Sequence, residues 1–304
     1  IMMDEKFMIE EIKRLKEEKN AVILAHYYQE GRIQDIADYT GDSLYLSQIA
    51  AETDSDIIVF AGVHFMAETA KILSPNKKVL LPVKEAGCPM AEMVTEVRLK
   101  KYKENNPDRT IVAYVNSTAG VKALSDVCVT SSNAEKIIRN YEGQKLMYVP
   151  DKNLGIYLRE KYNLDMEVWP GFCCIHNDVT LLQVASMREL HPEAEMIVHP
   201  EAKLEIVEKA DFVGSTKGLL NYVKQSDKKE FIVGTEEGIL YTMKKACPDK
   251  EFWLLSPDLK CYDMKLTRLE DIYYCLRDEQ YEIEVKEDVR INAFKALDKM
   301  LKLS

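Results

Sequence analysis

The chain has 304 residues, of which 46% are hydrophobic and 30% are charged, a balance typical of a globular protein that buries a full core in two or three compact units. Its formal net charge of -10 and its pI near 5.2 argue against a partner with a phosphate backbone, because no stripe of lysine and arginine offsets the repulsion. We therefore expect no nucleic-acid partner.

The first predicted element is an amphipathic helix close to the start of the chain. Met8, Ile12 and Leu15 recur at helical spacing, and the segment lacks the basic and then apolar regions of a secretory signal. No later stretch reaches the length of a membrane span. Seven cysteines in a chain without such a signal suit a reducing compartment. We expect a cytoplasmic protein with no membrane partner.

Short apolar runs followed by small or polar residues then recur along the chain, with helical stretches between many of them. In order, the runs are AVILAHYYQ, DIIVFAGV, KKVLLPV, TIVAYVNS, KLMYVPD, DMEVWPG, EMIVHPE, EFIVGTE and EFWLLSP. Continuous apolar strands that alternate with helices are typical of parallel sheets buried on both faces. The sequence therefore predicts an α/β fold.

An internal repeat organises these elements into three copies of one unit. The copies start from His26, Tyr114 and His199, which are separated by 88 and 85 residues. Two residues after the origins stand Tyr28, Asn116 and Glu201. An aspartate stands twelve residues after each origin (Asp38, Asp126, Asp211), and a hydroxyl residue stands seventeen residues after it (Ser43, Ser131, Thr216). This recurrence predicts three related units. We place them at residues 1–90, 91–176 and 177–264, with the tail 265–304 packing back on the first unit and completing its sheet.

Each copy ends in a loop that contains cysteine. Cys88 and Cys261 stand 62 residues after their origins, whereas Cys173 and Cys174 stand 59 and 60 residues after theirs, so the register does not choose within the adjacent pair. One thiol at the same point of three units predicts a site on a pseudo-threefold axis. Three thiolates there suit a cluster or metal with one open position. We interpret the remaining thiols as structural, namely Cys128, Cys247 and Cys275.

The polar residues at the strand ends are expected to face the same axis, because ligands of parallel α/β units bind beyond the carboxyl ends of the strands. The hydroxyl residues that stand seventeen residues after each origin lie in GDSLYLS, TSSNAEK and GSTKGLL. These segments are predicted helix starts with free backbone N–H groups. Such a hydroxyl is often a simple cap, but its recurrence beside cysteines favours a pocket for phosphate or carboxylate. The aspartates that stand twelve residues after each origin, Asp38, Asp126 and Asp211, are expected to be structural.

Together these motifs resemble the quinolinate synthase family over nearly the whole chain. The resemblance is carried by LAHYYQ, IQDIADYTGDSL, GVHFMAETAKIL, CPMA, AYVNSTA, VTSSNA, PDKNLG, the Cys-x-x-His segment, VHPE, ADFVGST, GTE and CYDMK. It implies three αβα domains, each with a small parallel sheet, arranged pseudo-threefold around a central [4Fe-4S] cluster. Cys88, Cys173 and Cys261 would hold three irons, and the fourth iron would bind substrate.

The resemblance also implies a reaction between two small anions. In this family, iminoaspartate condenses with dihydroxyacetone phosphate, and quinolinic acid forms with loss of water and phosphate. A functional link to the oxidase or dehydrogenase that makes iminoaspartate follows from the same resemblance.

Site residues are implied position by position. The matching residues are His26, Tyr28 and Ser43 in the first unit, Tyr114, Asn116, Ser131 and His176 in the second, and His199, Glu201, Ser215 and Thr216 in the third, with Met66 and Thr235 close by. We expect Glu201 to act as general base and acid, and Tyr28, Tyr114 and His199 to shuttle protons or orient groups. Which helix start takes the phosphate is left open by the spacing.

Two positions depart from the family pattern. Lys217 stands where a small residue is expected after GST, and either adds charge near the phosphate or points to solvent. Cys174 stands where proline is expected after the cysteine ligand.

Two other interpretations remain open. One is a small-anion binding protein with a structural zinc ion at the three cysteines. The other is a different iron–sulfur hydro-lyase, which would share the Lewis-acid role of the cluster but use another acid.

Overall fold

In the computed structural model, which describes residues 4–304, the strands form three four-stranded sheets in which all neighbours run parallel. The first sheet contains β1 (Ala21–His26), β2 (Tyr39–Gly41), β3 (Ile57–Ala61) and β4 (Lys78–Leu80); the second contains β5 (Thr110–Tyr114), β6 (Val127–Val129), β7 (Leu146–Val149) and β8 (Met166–Val168); the third contains β9 (Glu195–Val198), β10 (Phe212–Val213), β11 (Glu230–Gly234) and β12 (Glu251–Leu254). The predicted α/β class with three parallel sheets is confirmed.

The three sheets share one strand order. The orders are β2-β1-β3-β4, β6-β5-β7-β8 and β10-β9-β11-β12, so the strand that starts each copy lies inside its sheet, beside the third strand of the copy. Every predicted apolar run contains one strand of these sheets, and the strands that no run predicted are the edge strands β2, β6 and β10. The repeat read from the sequence is therefore a repeat of topology.

Helices connect the strands and cover the sheets. They are α1 (Glu5–Glu18), α2 (Gly31–Ile36), α3 (Ser43–Glu52), α4 (His64–Leu73), α5 (Pro89–Glu92), α6 (Glu96–Asn105), α7 (Ala119–Ala123), α8 (Ala134–Ile138), α9 (Lys152–Tyr162), α10 (Cys174–Asn177), α11 (Leu181–Leu190), α12 (Leu204–Val207), α13 (Thr216–Gln225), α14 (Ile239–Ala246), α15 (Leu269–Asp278) and α16 (Glu287–Leu303), with 3-10 turns at Arg139–Tyr141 and Asp263–Lys265. The predicted first helix is present, and its Met8, Ile12 and Leu15 are buried. No helix in the described part of the chain combines the length and apolarity needed to cross a membrane.

The repeated aspartates hold the same place in every unit. Asp38, Asp126 and Asp211 accept the backbone N–H of Ile23, Ile111 and Met196 at 2.8, 2.7 and 2.7 Å, each in the first strand of its unit. Each aspartate lies just before a short edge strand, so its carboxylate ties that edge to the neighbouring strand. They are structural contacts at the sheets.

The C-terminal tail touches two units. Helix α15 packs on α1, and the following segment pairs antiparallel with the edge of the first sheet, where Leu81 and Tyr281 exchange backbone hydrogen bonds of 2.9 and 3.0 Å. The pairing is a single bridge between Leu80 and Glu282 rather than a further strand. Helix α16 then packs against α7 and β6 of the second unit as well as α4 of the first. We propose that the unit boundaries follow the repeat, with this tail shared between the first two units.

Candidate active site

A cavity of about 240 Å³ lies at the carboxyl ends of the strands of all three sheets. The predicted site residues that line it are His26, Tyr28, Ser43, Cys88, Tyr114, Asn116, Ser131, Cys173, His176, His199, Glu201, Thr216 and Cys261. Met66 also lines it. Ser215 does not, and lies directly before the lining residue Thr216. The repeat thus brings residues from three distant parts of the sequence to one place.

Two histidines at the strand ends are held in the same way. In the first unit, the Nδ1 atom of His26 accepts the backbone N–H of Tyr28 at 3.1 Å, and in the third, Nδ1 of His199 accepts that of Glu201 at 3.2 Å. An Nδ1 atom that accepts leaves the proton of a neutral ring on Nε2. Burial lowers the pKa of His26 to about 3 and that of His199 to about 4, so both rings are neutral at pH 7.

Glu201 is the buried carboxylate at the centre of the pocket. Tyr114 donates its hydroxyl to Oε1 at 2.5 Å, and Nδ1 of His176 lies 3.0 Å from Oε2. Burial alone would raise the pKa of Glu201, but the hydrogen bonds from His176 and Tyr114 to its carboxylate oxygens outweigh it and lower that pKa. Burial raises the pKa of Tyr114 well above its usual value. At neutral pH the pocket therefore pairs an ionised carboxylate with a protonated tyrosine.

A continuous chain of hydrogen bonds runs from this carboxylate to the third unit. An ionised carboxylate only accepts, so His176 donates from Nδ1 and accepts at Nε2 from the hydroxyl of Thr235, 2.9 Å away. The hydroxyl of Tyr28 lies 2.8 Å from Thr235 and 2.9 Å from Thr216. Sequence reasoning placed Thr235 only near the site, because nothing in the motif GTE indicates that its hydroxyl links His176 to Tyr28. The chain provides a route along which protons can move.

Two of the three predicted helix starts are present. Ser43 and Thr216 are the first residues of α3 and α13, and the caps are the residues before them: Asp42 accepts the N–H of Tyr45 at 3.0 Å, and Ser215 that of Gly218 at 3.0 Å. These helices have ten residues each, so their N-terminal N–H groups can face an anion in the pocket.

The prediction that Ser131 opens a helix is wrong. Ser131 lies in a turn, where the side chain of Asn133 accepts the N–H of Thr130 at 2.7 Å, and the short helix α8 begins only at Ala134. The turn is fixed by its asparagine, so Ser131 is left to face the pocket as a hydroxyl.

A contact that sequence reasoning missed joins the three units beside these turns. The hydroxyl of Ser132 in the second unit donates to the carboxylate of Asp42 in the first, and lies 3.0 Å from that of Ser215 in the third. Asp42 and Ser132 each stand next to a predicted residue, but only the assembled fold brings them together.

The pocket also brings three thiols together at the starts of helical turns. Cys88 and Cys173 precede α5 and α10, and Cys261 precedes the 3-10 turn Asp263–Lys265. Burial raises the pKa of Cys88 to about 12 and that of Cys261 to about 11, and raises that of Cys173 well above its usual value. The negative charge of Glu201 raises the pKa of Cys173 further. Metal binding must then displace their protons.

This donor set fits an iron–sulfur cluster. Three sulfur donors come from three separate loops on one pocket, and backbone N–H groups at Cys88 and Cys261 favour the thiolate form. Cys174 is exposed. The three cysteines interpreted as structural, Cys128, Cys247 and Cys275, are buried in hydrophobic clusters.

A second donor set shares one of these thiols. Cys173, His176 and Glu201 offer a sulfur, a nitrogen and an oxygen atom within 4.8 Å of one another. This mixture suits zinc with an open position. The hydrogen bonds of His176 to Glu201 and Thr235 instead use both ring nitrogens, which leaves His176 to bind a metal only if one of those bonds breaks.

Three parallel sheets with a buried, thiol-lined pocket of perturbed ionisable groups at their junction are typical of an α/β enzyme. The particular family follows from its relatives. Residues 10–302 match the family described as quinolinate synthetase A protein, and the chain belongs to it.

Three similar proteins illustrate the extent of the match. A quinolinate synthase of Clostridium kluyveri is 53% identical over 303 residues, which cover 99% of this chain and 100% of that protein. One from Alkaliphilus metalliredigens is 53% identical over 302 residues, with the same coverage. A protein named quinolinate synthase 2 from Methanosarcina acetivorans is 47% identical over 304 residues, covering 100% of this chain and 98% of that protein. The resemblance read from the motifs is confirmed.

The neutral, buried histidines should make the ligand-free protein sensitive to acid. A histidine in the unfolded chain takes up a proton below about pH 6.5. In the folded protein the pKa of His26 is lowered to about 3 and that of His199 to about 4, so both rings take up a proton only at lower pH. The unfolded chain therefore binds more protons in this window, so stability is fully present above it and falls as the pH is lowered. At pH 5 each histidine should cost about 2 kcal/mol of unfolding free energy.

Urea unfolding of the ligand-free protein at pH 7 and pH 5 measures this loss. His26→Asn should reduce the difference between the two pH values. An unchanged difference in that variant would mean that His26 is not held neutral by the fold.

Proposed function

We propose that the protein is a quinolinate synthase that condenses iminoaspartate with dihydroxyacetone phosphate to quinolinate, with loss of water and phosphate. The observation that carries the proposal is the junction of three sulfur donors with an ionised Glu201 and its hydrogen-bond chain in one pocket. Membership of the quinolinate synthetase A family supports it. The substrates are small anions, and an oxidase or dehydrogenase that makes iminoaspartate is the expected functional partner.

We assign the resident cofactor as one [4Fe-4S] cluster per chain, held by Cys88, Cys173 and Cys261. Held by three protein ligands, such a cluster would leave one iron open and would supply Lewis-acid chemistry there without a change of oxidation state.

Glu201 is assigned as the group that takes up and returns protons. Its carboxylate is ionised at neutral pH, so it can accept a proton from carbon or nitrogen of a bound intermediate. Tyr114, which donates to Oε1, and His176, which lies at Oε2, then hold the carboxylate in place and stabilise its charge.

Tyr28 and His199 are assigned to proton movement and orientation on either side of this carboxylate. The hydroxyl of Tyr28 stays protonated because burial raises its pKa well above the usual value, so it is a donor. Its contacts with Thr235 and Thr216 connect it to His176 on one side and to a helix start on the other. With Thr235 donating to Nε2 of His176 and His176 donating to Glu201, the chain in this orientation can pass a proton from Tyr28 toward Glu201. The Nε2–H groups of His26 and His199 are neutral donors for substrate oxygens.

The anionic groups of the substrates are assigned to the hydroxyls and helix starts on the wall of the pocket. Ser43 and Thr216 open α3 and α13, where backbone N–H groups and the helix dipole favour phosphate or carboxylate. Ser131 and Asn116 add side-chain polar groups from the second unit. Enclosure between three units also limits water, which would hydrolyse an imine.

Metal content is the first test. Protein purified without oxygen should be brown and contain about four iron and four sulfide per chain, and it should form quinolinate from the two substrates. Colourless protein with about one zinc ion per chain would contradict the cluster and favour the second donor set.

That donor set supports one alternative function, a zinc-containing protein that binds small anions. Its basis is the cluster of Cys173, His176 and Glu201 within 4.8 Å. In that case Cys88→Ala should leave the metal content unchanged, because Cys88 is not one of these ligands. Under the cluster assignment, the same variant loses iron.

A further inference from the structure

Two loops bring Tyr28 and Asn116 to the pocket, and in each loop the backbone carbonyls accept hydrogen bonds from one buried side chain. The two donor residues stand at the same position of the repeat. Gln34 and Lys122 each stand eight residues after the origin of their unit. Each is the fourth residue of the helix that follows the first strand, α2 or α7. Both side chains are buried, with 8% of Gln34 and 0% of Lys122 exposed, which is rare for these residue types without partners.

Their contacts are equivalent as well. In the first unit, Nε2 of Gln34 donates to the carbonyl oxygens of Tyr27 and Gln29 at 3.0 and 2.9 Å, on either side of Tyr28. The orientation of this amide is fixed because Oε1 accepts the hydroxyl of Thr242 at 2.7 Å.

In the second unit, Nζ of Lys122 donates to the carbonyl oxygens of Val115 and Ser117 at 2.7 and 2.5 Å, on either side of Asn116. The same ammonium lies 5.7 Å from the ring centre of Phe65, which itself lines the pocket. A different residue type thus makes the same pair of contacts in each unit.

The third unit lacks such a donor. The residue eight positions after His199 is Val207, which is the fourth residue of α12 and is buried. The loop there contains Pro200, whose ring fixes its own backbone, and the carbonyl of Glu201 accepts Nδ2 of Asn153 at 3.1 Å. A polar side chain eight residues after the origin therefore occurs in the two units whose loop has no proline.

We propose that Gln34 and Lys122 are positioning residues that fix Tyr28 and Asn116 in the pocket by bridging the two carbonyls that flank each of them. A loop whose carbonyls are tied on both sides of one residue cannot rotate that residue without breaking a buried hydrogen bond. Each pair of hydrogen bonds therefore stabilises one orientation of the side chain that lies between the two carbonyls. The consequence for ligand binding rests on the proposed function, whereas the bridge itself does not.

Hydrogen exchange of backbone amides tests the bridge directly. In the ligand-free protein, Lys122→Met keeps an unbranched side chain only one atom shorter but removes the donors, and should speed exchange in residues 115–118 by about tenfold. Gln34→Leu should do the same for residues 27–29. Each variant should leave the loop of the other unit unchanged, whereas a general loss of stability would speed exchange in both.

A conservative variant provides the rescue. Lys122→Gln should show exchange between that of the native protein and that of Lys122→Met, because Gln34 spans the equivalent carbonyls from the equivalent helical position. Val207→Ala is the matched control, since it removes buried atoms at the same position of a unit without a bridge and should leave residues 115–118 and 27–29 at native rates. Native exchange in Lys122→Met, or no rescue by Lys122→Gln, would overturn the proposal.

Quinolinate binding measures the consequence. Lys122→Met should raise the Kd of quinolinate for the cluster-containing protein by about tenfold, with smaller loss for Lys122→Gln. Unchanged affinity in Lys122→Met would overturn the positioning role even if the loop exchanges faster. A native protein that does not bind quinolinate would instead count against the proposed function, and the exchange experiment would still decide the bridge.

Discussion

Glu201→Gln should lower the rate of quinolinate formation by about a thousandfold while leaving the pocket assembled. Glutamine has nearly the same shape and still accepts the hydroxyl of Tyr114, so the loss reports the missing carboxylate rather than a collapsed site. The measurement is kcat for protein loaded with its cluster, together with iron content, which should match that of the native protein.

The matched control is Glu205→Gln, an exposed carboxylate four residues further along the chain, in α12. It should have native activity. If Glu201→Gln retained more than about a tenth of the native rate, a proton acceptor other than Glu201 would have to be sought, and the protonated Tyr28 and Tyr114 would not serve without a base beside them.

Cys173→Ala should abolish cluster binding, whereas Cys174→Ala should preserve it. The repeat could not separate these neighbours, but the structure gives them different surroundings. The thiol of Cys173 is only partly exposed and lies 3.2 Å from Nδ1 of His176, whereas Cys174 is exposed. Removing one of three thiolates leaves a cluster with two protein ligands, so iron and sulfide should fall from about four per chain to near zero.

Iron and sulfide analysis and the visible absorption of anaerobically reconstituted protein measure both variants. Loss of the cluster in Cys174→Ala with retention in Cys173→Ala would mean that the loop is shifted by one residue. Cys275→Ala, which removes a buried thiol from a hydrophobic cluster, should keep its iron even if it is less stable.

The sequence predicted most of the architecture because the strands that carry it are continuous and apolar. Strands β2, β6 and β10 are edge strands that follow the repeated aspartates, and no apolar run marked them. The tail was expected to complete the first sheet, but it forms a single bridge to that sheet before the chain enters α16.

The site was predicted where chemistry repeats and was missed where it depends on tertiary contacts. The repeat predicted Tyr28, Asn116 and Glu201, because in each unit the residue two positions after the origin lines the pocket. No local pattern marks Thr235 as the link between His176 and Tyr28, or Ser132 as the contact of Asp42, because each of these pairs is joined only by folding. Ser131 was misplaced because Asn133 makes a turn there instead of a helix cap.

The partners of Tyr28 also bear on how the protein folds. Its hydroxyl meets Thr216 and Thr235, which lie 188 and 207 residues later in the chain. Contacts between such distant residues close large loops and form late, after locally connected sheets and helices. We therefore expect the parallel sheets to form before the pocket, and ligand binding by a newly made chain to await the docking of its first and third units.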